Sequence, residues 1–194
     1  VLDPAQSAAQ AVADYLTAAV VLAPPLDVRR GWNEANREYD LSGGPVATVT
    51  ATGTPQANYR TPYTYETAPI GGLFSWVVAD LEIFLQLDLW CPHRHTRDVV
   101  SELVEQKLSN DIPYRAGLYL THADYHGSAI TVWHDRGHTI DGDPLVPSVD
   151  EWRATWLLRV HSAKIVQAAT PQQLNWELRR MSGAVLLETH PIDP

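Results

Sequence analysis

Eight histidines, one cysteine and 23 acidic residues in 194 are the raw material for any chemistry this chain performs. The densest grouping is Cys91-Pro-His93-Arg-His95-Thr-Arg-Asp98, where an apolar-alternating run meets a helical pattern. Two imidazoles separated by a single residue, with a carboxylate close behind, can chelate a divalent metal and orient a water for hydrolysis. His122 and His126, and likewise His134 and His138, stand four apart, a spacing that unites two imidazoles on a helix. Gly127 and Gly137 interrupt both pairs, and in extended chain residues four apart lie about 13 Å from each other, too far to share one ion. A fold can still gather His93, His95, His122 and His134 at one end of a sheet, so a metal-dependent enzyme with a His-rich site is one reading. Asp141-Gly-Asp143 opens like a calcium loop, but no ladder of oxygen ligands and no terminal Glu follow, which suits a turn. A lone Cys91 excludes an intramolecular disulfide and any zinc site built on several thiolates. No nucleophile elbow, P-loop or Gly-x-Gly-x-x-Gly motif occurs.

The histidine turn is similar in part to the His-x-His-x-Asp-His turn of metallo-β-lactamase-like hydrolases. Here Asp98 comes one place late and the last His is missing. A polar helix N-terminus that carries two histidines explains the same residues. A cupin-like cluster of His93, His95, His122 and His134 is the other form this metal reading takes.

The elements that must position these groups are more distinctive. In Asp80 to Trp90, Leu81, Ile83, Leu85, Leu87 and Leu89 alternate with Asp80, Glu82, Phe84, Gln86 and Asp88. One strand face is therefore apolar and the other wet, which predicts a mixed or antiparallel sheet covered by helices on one face. The strand starts near Leu73, long enough to bend near Ala79-Asp80 and to project beyond its sheet. Thr96 is the expected N-cap of a helix over Asp98 to Leu108, with Asp98 in the first turn and a stripe of Val99, Val100, Leu103, Val104 and Leu108. A second long strand, Trp152 to Val160, carries Arg153 and Arg159 on one face, placed to meet Asp80, Glu82 or Asp88 across the sheet.

Elsewhere, Asp3-Pro4 caps an Ala-rich helix within residues 1–23, with Ala9, Val12, Ala13, Leu16 and Ala19 at helical spacing. Val28 to Trp32 and Pro45 to Thr52 read as strands, and Thr54 to Gly72 as a Tyr/Thr/Pro-rich excursion or hairpin. Ala116 to His122 and Ser128 to His134 form a hairpin, Asp135 to Asp150 a functional loop. Thr170-Pro-Gln-Gln173 is a capping box opening a C-terminal helix to Gly183, so residues 171–194 make a helix and a tail that reaches a neighbour.

Length and a 45% hydrophobic content predict a single domain over 1–194. A formal net charge of -9 disfavours a general nucleic-acid binder but suits a conduit past which DNA slides. No apolar stretch approaches the ~20 residues that span a bilayer, and no signal peptide is expected.

The order of elements from Ala5 to Ile165, and above all Leu87-Asp-Leu-Trp-Cys-Pro-His-Arg-His-Thr-Arg-Asp-Val-Val-Ser-Glu-Leu-Val104, resembles the tail terminator, or tail completion, proteins of long-tailed bacteriophages. The resemblance implies an α+β, ring-forming subunit of the virion tail or neck, assembled in the host cytoplasm. It implies a homohexameric ring that caps the tail tube protein, ends tube polymerisation and joins a head-tail connector or head-closure protein. Genomic DNA would pass through the lumen only in transit. No catalytic residue, cofactor or metal is implied. Tyr59, Tyr63, Tyr65, Trp90, His138, Asp141 and Trp176 are the interface candidates.

Overall fold

The structure is a computed structural model and describes residues 3–31, 41–64, 74–109, 117–121, 129–134, 139–140 and 152–168. The chain forms two compact units. One comprises Val1–Ala57 and Leu81–Ala163, the other Asn58–Asp80 and Lys164–Pro194.

The first unit opens on helix α1, Pro4–Ala19. Asp3 is extended, and its carboxylate accepts from the backbone N–H groups of Ala5 and Gln6 at 2.8 and 3.0 Å, while Pro4 begins the helix where no N–H is needed. Strands β1 (Asp27–Arg30) and β2 (Val46–Ala51) follow and pair in parallel. Then come β4 (Phe74–Cys91), helix α2 (Arg94–Leu108), β5 (Leu118–Thr121), β6 (Ala129–His134), β7 (Thr139–Ile140) and β8 (Trp152–Ala168). Strand β3, Gln56–Thr64, pairs with β4.

The sheet runs β1-β2-β4-β8-β6-β5, with β7 also on β8. Only β1 with β2 is parallel among the registers described. β2 with β4, β5 with β6, and β6 and β7 with β8 are antiparallel. The α+β class and mixed sheet thus match the alternation that predicts them. The consecutive strands β5 and β6 pair as the two apolar runs predict, and Thr139-Ile140 adds a short strand inside the segment expected to be all loop.

Helix α1 packs on β1, β2, β5 and α2. Because β1 and β5 stand at opposite ends of the strand order, the sheet curls around this helix. That geometry explains its composition: burial spreads from the predicted stripe to Ala5, Ser7, Ala8 and Ala11, positions where small side chains let backbones approach from several sides. Leu81, Ile83, Leu85, Leu87 and Leu89 all join Val49, Ile130, Trp156 and Leu158 in the core under the helices. Gly44, at φ +122, allows a close chain approach that a side chain would forbid, since a Cβ there would come within 2.6 Å of Pro24 Cγ.

In the second unit, described residues of β3, β4 and β8 are present, and Trp76, Val77, Val78 and Ala79 are buried in succession, so β4 is covered on both faces there. At 18 and 17 residues, β4 and β8 are about three times the usual strand length of ~5–6. Each contributes residues to both units. Strand β8 therefore continues eight positions past the predicted Val160 end.

Two details of α2 differ from expectation. The helix begins at Arg94 with His93 as its N-cap, because His93 is extended (φ -140, ψ 148) directly after Pro92 and its carbonyl accepts from Arg97 N–H at 3.0 Å. Thr96 is thus inside the helix, and Asp98 lies beyond the first turn. The buried seam is Arg97, Val100, Ser101, Val104 and Leu108, whereas Val99 is 44% exposed. The sequence pattern mistakes Val99 for seam because an arginine and a serine occupy true core positions. The C-terminal helix from Thr170 and the tail lie outside the described residues.

Candidate interface on the open face of the sheet

The face of the sheet turned away from the helices is organised around two carboxylates. In β4, the residues between the buried leucines, Glu82, Phe84, Gln86, Asp88 and Trp90, occupy this side. Register places Thr48 and Thr50 of β2 beside Asp88 and Gln86. From β8 come Arg153, Thr155, Leu157, Arg159 and His161.

Asp88 is the inner node. One carboxylate oxygen accepts from Arg153 Nε and Nη2 at 3.1 and 2.7 Å and from the Thr155 hydroxyl at 2.7 Å, and the other accepts from Gln86 Nε2 at 2.9 Å. Its side chain is 4% exposed. Such burial is tolerable because donors from three side chains replace water. The Arg153 guanidinium lies over the Trp90 ring, 5.0 Å from its centroid, a cation–π contact that covers the ion pair.

Glu82 is the outer node. Its carboxylate meets Arg159 Nε at 3.3 Å and His161 Nε2 at 3.6 Å, and these side chains are one-third to one-half exposed. The His161 ring stands edge-on to Trp133, centroids 4.3 Å apart. Trp133 in turn lies against Gly117. A Cβ at Gly117 would come within 2.8 Å of the indole nitrogen and 2.6 Å of Thr131 Cγ2, and φ is +112 there, so glycine is required twice over. Tyr119 and Leu157, 66% and 64% exposed, add apolar area to this face.

Moving back along β4 from Asp88 to Glu82 matches moving forward along β8 from Arg153 to Arg159, the relation of antiparallel neighbours. The pairing expected of Arg153 and Arg159 is therefore present, with Asp88 and Glu82 as the acids.

The histidine turn is built differently. His93 and His95 are exposed at the start of α2, and the His93 side chain makes no capping bond. Asp98 accepts from Arg97 at 2.6 Å and faces Arg94 at 3.9 Å. The hydrogen bond from Arg97 is the main cause holding the Asp98 carboxyl below its ordinary range, with the charges of Arg97 and Arg94 adding to it. Arg97 itself is buried, its guanidinium 5.2 Å from the Trp152 ring centroid. Burial pushes the Cys91 thiol up to about 12, which leaves it a packing residue. Among the described residues no three His, Cys, Asp or Glu side chains gather as metal ligands.

Of the candidates named from sequence, Trp90 sits on the open face. Tyr59 and Tyr63 belong to β3 in the second unit, and His134 ends β6 opposite Leu158. Tyr65, His122, His126, His138, Asp141 and Trp176 lie outside the described residues. Sequence reasoning missed the Trp133–His161–Glu82 chain, and Glu105, which accepts from Trp156 Nε1 at 2.8 Å. Alternation assigns Trp156 to the core face, but only the packing of α2 over β8 brings Glu105 to its indole.

No protein-family model matches the sequence, and no curated protein is significantly similar to it. Among the described residues, no helix is long and apolar enough to cross a membrane.

Proposed function

We propose that this chain is a structural subunit of a phage-like tail or neck. In this reading it forms a homohexameric ring that caps the tail tube, ends tube polymerisation and joins the tail to the head connector, with DNA passing through the lumen. The observation that carries the proposal is the length of β4 and β8, each of which supplies residues to two compact units. A head-to-tail ring needs two different complementary surfaces on every subunit, and long strands offer edges and faces enough to supply them.

The open face supports the same reading. Its carboxylates are occupied by arginines within the subunit, so Asp88 and Glu82 are already engaged and do not face DNA as bare charge. Thr48, Thr50 and Asp88 are buried at the β2 side of this face, whereas exposed Tyr119 and Leu157 give the rest of it the mixed character of an assembly surface. The overall charge of -9 favours a lumen along which DNA slides.

Light scattering and electron microscopy of the protein, alone and with tail tubes, test this function. A ring, or binding to tube ends, is the expected result. A protein that stays monomeric and ignores tube ends would end the proposal. Metal analysis of the same sample separates it from the His-rich enzyme, for which a bound ion is required.

A further inference from the structure

Among the described residues, the large hydrophobic side chains left exposed are Val21, Val99, Tyr119 and Leu157. Tyr119 and Leu157 lie on the open face of the sheet. Val99 lies on the other side of the same unit, on the outer face of α2, whose inner face packs Val100, Val104 and Leu108 into the core and accepts from Trp156 of β8 through Glu105. The first unit therefore carries apolar side chains on two opposite outer surfaces, the arrangement a head-to-tail contact needs.

The charges beside these side chains are opposite in sign. Leu157 is followed on its strand face by Arg159 and His161, and register sets Tyr119 beside Thr131 and Thr131 beside His161, so the basic pair lies between the two exposed hydrophobics. Arg159 meets Glu82 through Nε and is 52% exposed against 32% for the carboxylate, so the more exposed charge is the basic one. On α2 the acid is outermost. Asp98 answers Arg94 within the helix, whereas Glu102, exposed one turn after Val99, makes no ion pair among the described residues. Val21 sits in the uncharged run Val20-Val-Leu-Ala23 and offers no such combination. The spacings also agree: Leu157 and Arg159, alternate residues of a strand, are about 7 Å apart, and Val99 and Glu102, neighbours on a helix surface, about 5–6 Å. We infer that α2 of one copy docks by Val99 and Glu102 on the open face of the next, at Leu157 and Arg159, with Glu102 paired to the Arg159 guanidinium. The inference rests on the ring reading above and names its contact. Each copy presents α2 to one neighbour and the open face to the other, so contacts propagate until the ring closes.

Charge reversal in the full-length chain tests it. Glu102→Arg and Arg159→Glu are made singly and together, and ring formation is followed by light scattering through a dilution series and by electron microscopy with tail tubes. Each single reversal sets like charges against each other at every contact and should raise the concentration at which rings dissociate about tenfold or more. The double variant restores the pair with its signs exchanged and should return close to wild type. Rings unchanged in both single variants, or a double variant no better than the weaker single, would overturn the inference and leave the ring standing. Val99→Ser and Leu157→Ser change only exposed side chains and keep the test in force should a reversed charge cost the fold. Both should weaken the ring, and unchanged rings in both would overturn the inference. A wild-type protein that neither forms rings nor binds tube ends removes the ring reading and this contact together.

Discussion

At the residue scale, the two carboxylates of the open face differ in energetic weight because they differ in burial. Asp88 is enclosed with Arg153, so Asp88→Ala leaves a guanidinium short of its counter-charge and should cost about 3 kcal/mol. Glu82 shares its arginine and histidine with solvent, and Glu82→Ala should cost below ~1 kcal/mol. Urea denaturation of both variants checks the contrast, and equal losses would show that burial does not set the order. Asp98 gives the pH dependence. Its pKa is held down in the folded protein, so its contribution to stability is complete above the ordinary carboxylate range and is lost as pH falls through the lowered value. Asp98→Asn should therefore flatten the acid limb of the stability profile, as measured by thermal melts between pH 2 and 6. Cys91, buried with its thiol pushed up to about 12, should resist thiol reagents at pH 8 in the native protein and react fully once unfolded. The arginine–acid pairing was readable from alternation alone, because period two assigns each side chain to a face. Arg97 was not, since nothing in a helical pattern reveals a charged residue held in the core by Trp152 and Asp98.

At the element scale, strands were easier to read than helix ends. The run of leucines in β4 announces its buried face, whereas the start of α2 depends on how Pro92 and His93 turn the chain, a matter of two dihedral angles. Similarly, Ala-rich α1 is recognisable as a helix, yet the curling of the sheet around it appears only when β1 and β5 are both found against it. Gly117, just before β5, is a sensitive position. Gly117→Ala forces a positive φ on a residue with a Cβ and drives that atom into Thr131 and Trp133. A loss of ~1–3 kcal/mol is expected, the scale of backbone strain of this kind. A denaturation midpoint unchanged from wild type would mean that Trp133 does not rest on this glycine.

At the scale of the whole molecule, two strands of 18 and 17 residues shared by two compact units are an expensive feature to order, and an isolated binding domain has little use for them. The ring proposal gives them a purpose: edges and faces long enough to meet different neighbours. The competing His-rich enzyme needs a metal, and the described part of the protein places His93 and His95 at an exposed helix start, with the nearby Asp98 engaged by arginines. Native mass spectrometry decides between them in one measurement, since it reads stoichiometry and bound metal together. A complex of six chains without metal is the predicted result, and a single 21.6 kDa chain carrying a stoichiometric metal ion would contradict it.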